Sequence, residues 1–487
     1  MMKRLWFALG LIVAAGVFAF GQDAKVDYYA VLADGKKIGH NVHTRKVEGG
    51  LVLTRDEMNL AISRAGAALA ISIASTHTET PDAKPVAFEY TQAISILTQK
   101  VRGVVTADGK LEVTTEVMGT SQKQTVDWPQ GALMAEGLRL LEEKQPLTEG
   151  HTYSATVFEP TMLTAIQAKA TVGAVVELDL LGRVVKATEV KTIMEVPGGG
   201  QIPTISYVDA EHNALKTIMS VMDMKLEIIA CDKEFAMSPN DVLDFLDKML
   251  VPSPAPLGDV KGKTVVYTLA PKPDAKVQIP ATDNQTVQVQ PDGRIVVTVK
   301  PVVPAAGAAF PYKGQDAKVL EAMKPAQYLQ SDRKEVRDLA VQAAGSATDL
   351  AEAVKSIESF VHGYIQQKDM SVGYATAAEV VVSKQGDCTE HAILAAAMCR
   401  SIGIPARVVF GVVYVPEFGQ RKDVFGGHAW AEAFVGDKWV GLDATRAPRG
   451  YDGNHITLAV GNGDPKDFFS LVSTLGYFTI EKIAIQD

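Results

Sequence analysis

The chain has 487 residues, 47% of them apolar and 22% charged, with a formal net charge of −9. That length leaves room for two or three domains with ample core, and the acidic balance weighs against a nucleic-acid partner or strong attraction to anionic membranes. Three cysteines, Cys231, Cys388 and Cys399, are too few for a disulfide scaffold.

Two positive charges in Met1 to Arg4, an apolar or Gly/Ala run from Leu5 to Phe20, and the small-x-small site Ala19-Phe20-Gly21 together predict a secretory signal peptide over residues 1–21. The protein is therefore expected to be exported, periplasmic or extracellular, with an uncleaved N-terminal anchor as the alternative. Removing Lys3 and Arg4 takes the net charge to −11. No Cys follows the cleavage site, so a lipid anchor there is not indicated. No later stretch is long and apolar enough to span a bilayer, so no stable membrane insertion is expected after cleavage.

Residues 22–237 read as a β-rich domain. Strand-like runs occur at Tyr28 to Leu32, Ile38 to Arg45, Leu51 to Leu60, Ala68 to Thr78, Val86 to Leu97, Lys100 to Thr106 and Leu111 to Val117, with turns at Asp34-Gly35, Asp108-Gly109 and Gly198 to Gly200. The spacing predicts one large antiparallel sheet, interrupted by a helix over Gly131 to Lys144. Residues 238–310 read as a linker helix and a small β region. Ser238-Pro239 starts the helix, which runs to Leu250, and Pro252 to Pro256 form a stiff spacer; limited proteolysis is expected to cut there or in the loops around Ala305 to Gly307. Strands Thr286 to Val289 and Arg294 to Val299 flank the turn Gln290 to Gly293. The last domain, 311–487, opens with two helical runs. In the second, Leu350, Val354, Ile357, Val361, Tyr364 and Ile365 make an apolar face.

The chemistry is concentrated beyond that point. Asp387 reads as an N-cap and Glu390 completes a capping box, so Cys388 falls in the first turn of an apolar helix that Gly403 and Pro405 end. A thiol there meets unpaired N–H groups and the positive end of the helix dipole, which favours thiolate. His428 to Val435 and Lys438 to Thr445 read as strands joined by a two-residue turn at Gly436-Asp437. Val435 then pairs with Lys438, Trp430 lies opposite Asp443, and His428 and Asp443 become diagonal neighbours on one face. Thiol, imidazole and carboxylate are a nucleophile, a base and an orienter.

Other readings carry less. Glu390 is explained by capping and His391 lacks partners at ligand spacing, so no metal is expected. Trp430 is expected as a cleft wall, and Glu432 at the cleft rim or paired with Arg407 or Arg446. Gly461 to Asp464 lack the spacing of a calcium loop and read as a turn. Cys388 and Cys399 would stand roughly 16 Å apart along one helix, too far to bond. A Cys231–Cys399 bridge is a minor alternative to three free thiols.

Residues from about 318 to 465 resemble the transglutaminase-like core of the papain-like thiol enzymes, in the form found in secreted bacterial proteins. The resemblance is carried by GDCTEHA (Gly386 to Ala392), GIPARVV (Gly403 to Val409), GGHAWAE (Gly426 to Glu432) and WVGLDAT (Trp439 to Thr445). It implies that Cys388 is the nucleophile, His428 the proton shuttle and Asp443 its orienter. It departs from the family around Gln366 to Asp369, where many relatives carry a tyrosine. The fold expected is α+β: an N-terminal, mainly antiparallel β region, then a core with a buried Cys-bearing helix packed on an antiparallel sheet. The function expected is cofactor-free, thiol-dependent acyl transfer on a peptide or glutamine-type amide through a thioester. Hydrolysis is preferred over protein cross-linking, because no acceptor-lysine site is recognisable. The competing class is a catalytically silent scaffold.

Overall fold

The computed structural model describes residues 24–486 except 65–66, 95–96, 118–119, 197–199, 222, 245–249, 274, 276, 303–306, 369–374 and 463–473. The signal segment expected over 1–21 and most of the turns expected at 198–200 and 461–464 lie outside the described residues.

The alternating patterns of the first half become fourteen antiparallel strands of one sheet, from β1 (Lys25–Ala33) to β14 (Met224–Cys231). Eight strands meander to β8 (Thr120–Asp127), six more run from β9 (Thr152–Glu159), and β14 pairs with β1 to join the two series. The sheet curls on itself. Phe88, Leu111 and Val113 share a core with Met134 and Phe158, which sits on the strand at the opposite end of the sheet order. The rings of Phe88 and Phe158 are 5.0 Å apart. The helix expected over Gly131 to Lys144 forms as α1 (Ala135–Glu142). Buried Glu79 accepts from the amides of Glu136 (2.6 Å) and Gly137 (3.0 Å), satisfying orphan donors at the start of α1.

The expected linker helix is absent from the described part of 238–250. A four-residue helix, α2 (Lys233–Ala236), ends just before it, and residues 239–243 have no regular structure. The residues that looked like a helix start serve another partner. Lys37 donates from Nζ to the Ser238 carbonyl (2.7 Å) and to Asn240 Oδ1 (2.8 Å), while its amide donates to Asp241 Oδ2 (2.9 Å). The Ser238 hydroxyl, the expected cap, donates instead to the Phe235 carbonyl at 2.7 Å and so closes the end of α2 rather than starting a helix.

Nor is the proline-rich stretch a free spacer where it begins. Leu250–Pro252 form β15 and pair with Val424 to Gly426, adding an edge strand to the C-terminal sheet. Val251, Leu257 and Val260 join one continuous core that also holds the Cys388-bearing helix. The small β region is completed from the far end of the chain: β16 (Thr264–Pro271), β17 (Gln285–Val289) and β18 (Ile295–Val299) share a sheet with β23 (Phe478–Gln486), in the order β17-β18-β16-β23.

The C-terminal sheet holds β19 (Ala406–Phe418), β20 (Arg421–Val435), β21 (Lys438–Leu442) and β22 (His455–Gly461) besides β15. Helices α3 (Ala317–Glu321), α4 (Lys334–Ala344), α5 (Leu350–Tyr364), α6 (Ala377–Ser383) and α7 (Cys388–Ser401) precede it, and α7 packs on β19 and β20. Every residue of α7 from Glu390 to Ser401 is buried, the outcome expected of a helix apolar nearly all round. Ser220 and Val221 of the large sheet meet this half directly, through a 2.9 Å bond from Tyr477 Oη to Ser220 Oγ and packing of Val221 on the core. No helix among the described residues is long and apolar enough to cross a membrane.

Candidate active site

The cysteine is placed by local chemistry. Asp387 Oδ1 accepts from the Thr389 amide at 2.8 Å, and Glu390 Oε2 accepts from the Asp387 amide at 2.9 Å, so the capping box is closed from both sides. The other Glu390 oxygen takes the Ala375 amide at 2.9 Å. Burial and the adjacent Asp387 carboxylate hold Glu390 well above the usual carboxyl range. Gly386 permits this fold-back. A Cβ on it would stand 2.2 Å from that of Glu390, on a backbone with φ +150°. Cys388 is thus the first residue of α7, half-buried and free, with the helix N-terminus behind it. Gly403, at φ +83°, ends the helix as expected, where a Cβ would strike Pro311.

His428 sits in the middle of β20 and is 9% exposed. Its Nε2 lies 2.8 Å from Asp443 Oδ2, and the Cys388 thiol is near enough to act on its ring. With Nε2 committed to the carboxylate, Nδ1 is the atom left for the thiol. The three residues singled out from the sequence are therefore brought together, His428 and Asp443 by a hydrogen bond and Cys388 beside the imidazole.

The route to that row differs in one respect from the strand argument. Val435 does pair with Lys438, and the register continues to Ala431 opposite Leu442. Gly436 alone in the turn has positive φ, as a Gly-first hairpin requires. The strand stops at Leu442, however, and Asp443 caps a short 3-10 turn, Ala444–Arg446, by accepting from the Thr445 (3.1 Å) and Arg446 (3.3 Å) amides through Oδ1. Asp443 is not a ladder partner of Trp430. Its own side chain satisfies the next amides and turns the chain out of the sheet, which leaves Oδ2 for His428.

Electrostatics follow from burial and pairing. Burial alone would lower the His428 pKa, but the Asp443 carboxylate and the Cys388 thiol outweigh it and raise it to about 9. Burial pushes Asp443 up, and His428 with His455 overcomes this to hold it well below the usual carboxylate range. A histidine whose folded pKa lies above the unfolded value near 6.5 contributes stability that is complete below that value and lost as pH rises through the folded one. Thermal unfolding monitored against pH is expected to show a fall in the midpoint between roughly pH 7 and 10, and His428→Asn should flatten that limb.

Several groups at the site gave no local signal. His455 Nε2 reaches Asp443 Oδ2 at 3.0 Å from β22. Buried Glu358 on α5 accepts the Asp443 amide at 2.8 Å. The run Asp283-Asn284-Gln285 clamps the back of the sheet. Asp283 takes the Trp439 amide at 2.7 Å, Asn284 Nδ2 reaches Glu432 Oε1 at 3.2 Å, and the Gln285 amide exchanges hydrogen bonds of 2.8 and 2.9 Å with the Thr457 backbone. Glu432 is fully buried rather than at a rim. Arg407, its cross-strand partner, binds it at 2.6 and 2.7 Å and covers the Trp439 ring. Trp430 is 1% exposed and lies beside His428, with ring centroids 6.1 Å apart, so it forms a wall behind the imidazole rather than a surface of the cleft. His391 Nδ1 bonds the Asp387 carbonyl at 2.6 Å, and burial pushes its pKa down to about 4.

Nitrogens of His428 and His455 and one oxygen of Asp443 lie within 4.8 Å of one another, a composition that suits a metal. The spacing suits hydrogen bonds better. Both rings meet the same oxygen at 2.8 and 3.0 Å. Ligands placed tetrahedrally about 2.0 Å from zinc would stand roughly 3.3 Å apart.

A thiol at a helix start, beside a histidine that a buried carboxylate holds, defines a cysteine-centred site on an α+β core. Residues 337–444 match the sequence profile of the transglutaminase-like superfamily, and over that segment, which contains Cys388, His428 and Asp443, the chain is transglutaminase-like. Among solved structures it is similar to a protein described as a candidate cysteine protease from Cytophaga hutchinsonii, at 18% identity and a TM-score of 0.31, covering 46% of this chain and 88% of that one. It is also similar to a β-barrel-like protein of a domain of unknown function from Brucella abortus (12% identity, TM-score 0.34, 42% and 95% covered). A third similar structure, titled only as a TGase, shares 16% identity with a TM-score of 0.20 and covers 35% of this chain and 46% of its own. No curated protein matches the sequence.

Proposed function

We propose that this protein is an exported, thiol-dependent acyl-transfer enzyme that cleaves the amide bond of a peptide or a glutamine side chain. The observation that carries the reading is the row from Cys388 through His428 to Asp443, with the thiol half-exposed and the other two buried.

The chemistry balances with these groups alone. The Cys388 thiolate attacks the carbonyl carbon, and the charge moves to the carbonyl oxygen, where the Cys388 backbone N–H is a candidate donor. Collapse breaks the C–N bond as His428 Nδ1 gives its proton to the departing amine, leaving a thioester. Water then attacks the thioester while His428 takes its proton, releasing the acid and restoring the thiol. Hydrolysis is preferred to cross-linking because no acceptor-lysine site was recognised. The domain that holds the large sheet would present or recruit the substrate, having no comparable row among its described residues.

The test is selective labelling. Cys399 is wholly buried, which pushes its thiol up to about 12, and burial also raises half-buried Cys231. A thiol-reactive probe at neutral pH is expected to label Cys388 on the order of 10²-fold faster than either. Equal, slow labelling of Cys388 and Cys231 would favour the silent scaffold.

A further inference from the structure

We infer that His455 is a positioning residue of this site: held as an imidazolium between Asp443 and Asp452, it takes a share of the Asp443 carboxylate and so limits how strongly that carboxylate retains the proton on His428. The inference rests on the reading of Cys388, His428 and Asp443 given above.

His455 lies on β22, beyond the matched segment 337–444, and is 0% exposed. Its Nε2 is 3.0 Å from Asp443 Oδ2, the oxygen that His428 Nε2 reaches at 2.8 Å. An ionised carboxylate oxygen only accepts, so both Nε2 atoms carry hydrogen. On the other side of the ring, His455 Nδ1 is 3.0 Å from the Asp452 carbonyl and 3.5 Å from Asp452 Oδ1, and both of these are acceptors. The Asp452 amide, at 3.3 Å, favours a bare Nδ1, and the closer carbonyl together with the carboxylate outweighs it. With both nitrogens protonated the ring is a cation. It stacks on Tyr451 with centroids 4.5 Å apart and meets Trp430 edge-on at 5.1 Å, faces that favour positive charge.

The charged groups around it are few. Asp443 and Asp452 favour the cation, whereas burial, Arg446 and the neighbouring His428 oppose it. Arg449 binds the far side of Asp452 at 2.5 Å and draws part of that carboxylate away. The balance raises the His455 pKa above its ordinary value. Two imidazolium rings 5.9 Å apart then lean on one anion, and each weakens the other's hold. Without His455, Asp443 would serve His428 alone, and the thiolate–imidazolium pair would persist to higher pH. His455 thereby keeps His428 closer to the range where it can both give and take a proton.

The test combines a nitrogen-15 NMR titration of the histidines in the full chain with the pH profile of Cys388 alkylation, in the native protein and in His455→Gln. The glutamine amide can still donate to Asp443 but carries no charge. In the native protein both His455 ring nitrogens should be protonated across neutral pH. In His455→Gln the His428 midpoint should rise by about one pH unit, and the onset of Cys388 alkylation should move to lower pH. A neutral His455 in the native protein overturns the inference whether or not the variant folds, and so does an unchanged or lowered His428 midpoint in a folded variant. His428→Ala separates the two readings. If it leaves native-like alkylation, the triad itself fails; if it removes the profile while His455→Gln leaves it in place, only the role given to His455 fails.

Discussion

Cys388→Ala is expected to fold like the native protein and to turn over amide substrate at no more than background, a loss on the order of 10⁴-fold or greater. The fold should survive because the helix start does not depend on sulfur. Asp387 and Glu390 close the capping box, Gly386 allows the turn, and the half-buried Cys388 side chain sits at the margin of the core. Replacing it by alanine should cost about 1 kcal/mol or less, well within what a chain with this much buried surface tolerates. Turnover should not survive, because the thiol is the atom that would bond to the carbonyl carbon and no other nucleophile stands in the row. Circular dichroism melting and an amide-hydrolysis assay on the same preparation check both halves. Native-like turnover in a folded Cys388→Ala protein would end the thiol mechanism.

What could be read from the sequence was the part encoded within a few residues. Asp387, Glu390, Gly403 and the Gly436-Asp437 turn each act on neighbours two to four positions away, so the start of α7 and the register of β20 with β21 followed from local chemistry. The strand-like runs from Tyr28 to Val117 likewise foretold one large antiparallel sheet, since a strand's pattern is written along itself. What escaped was made by partners far apart in the chain. Nothing near Ser238 discloses that its carbonyl will bind Lys37, and nothing near Phe478 discloses pairing with β16. His455 and Glu358 approach Asp443 from other elements, carried there by the crossing of β22 and α5. The early end of β21 was missed for a subtler reason. An Asp at a strand end followed by free amides is also a cap, and Asp443 caps with Oδ1 while Oδ2 holds His428.

That double use makes Asp443→Asn the second large effect. The carboxamide oxygen can still accept from the Thr445 and Arg446 amides, which points its NH2 at the position now shared by His428 Nε2 and His455 Nε2. Three donors would then converge, and relief comes when His428 moves its proton to Nδ1, the nitrogen left for the thiol. The imidazole can then no longer draw the thiol's proton, and Cys388 must ionise without its help. Alkylation at pH 6 to 7 should fall by about 10²- to 10³-fold and recover as the pH is raised enough to ionise the thiol unaided. Stability should fall by about 3–5 kcal/mol, since two buried histidines lose their shared anion, so rates must be taken well below the melting transition. Glu432→Gln is the matched control. Glu432 is equally buried and charged, but it is paired with Arg407 and Asn284, so its loss should lower the melting temperature and leave the alkylation profile nearly unchanged. Should the two variants behave the other way round, with Asp443→Asn silent and Glu432→Gln shifting the profile, the carboxylate that orients His428 is Glu432, and the Nε2-to-Oδ2 contact is not the one that works in solution.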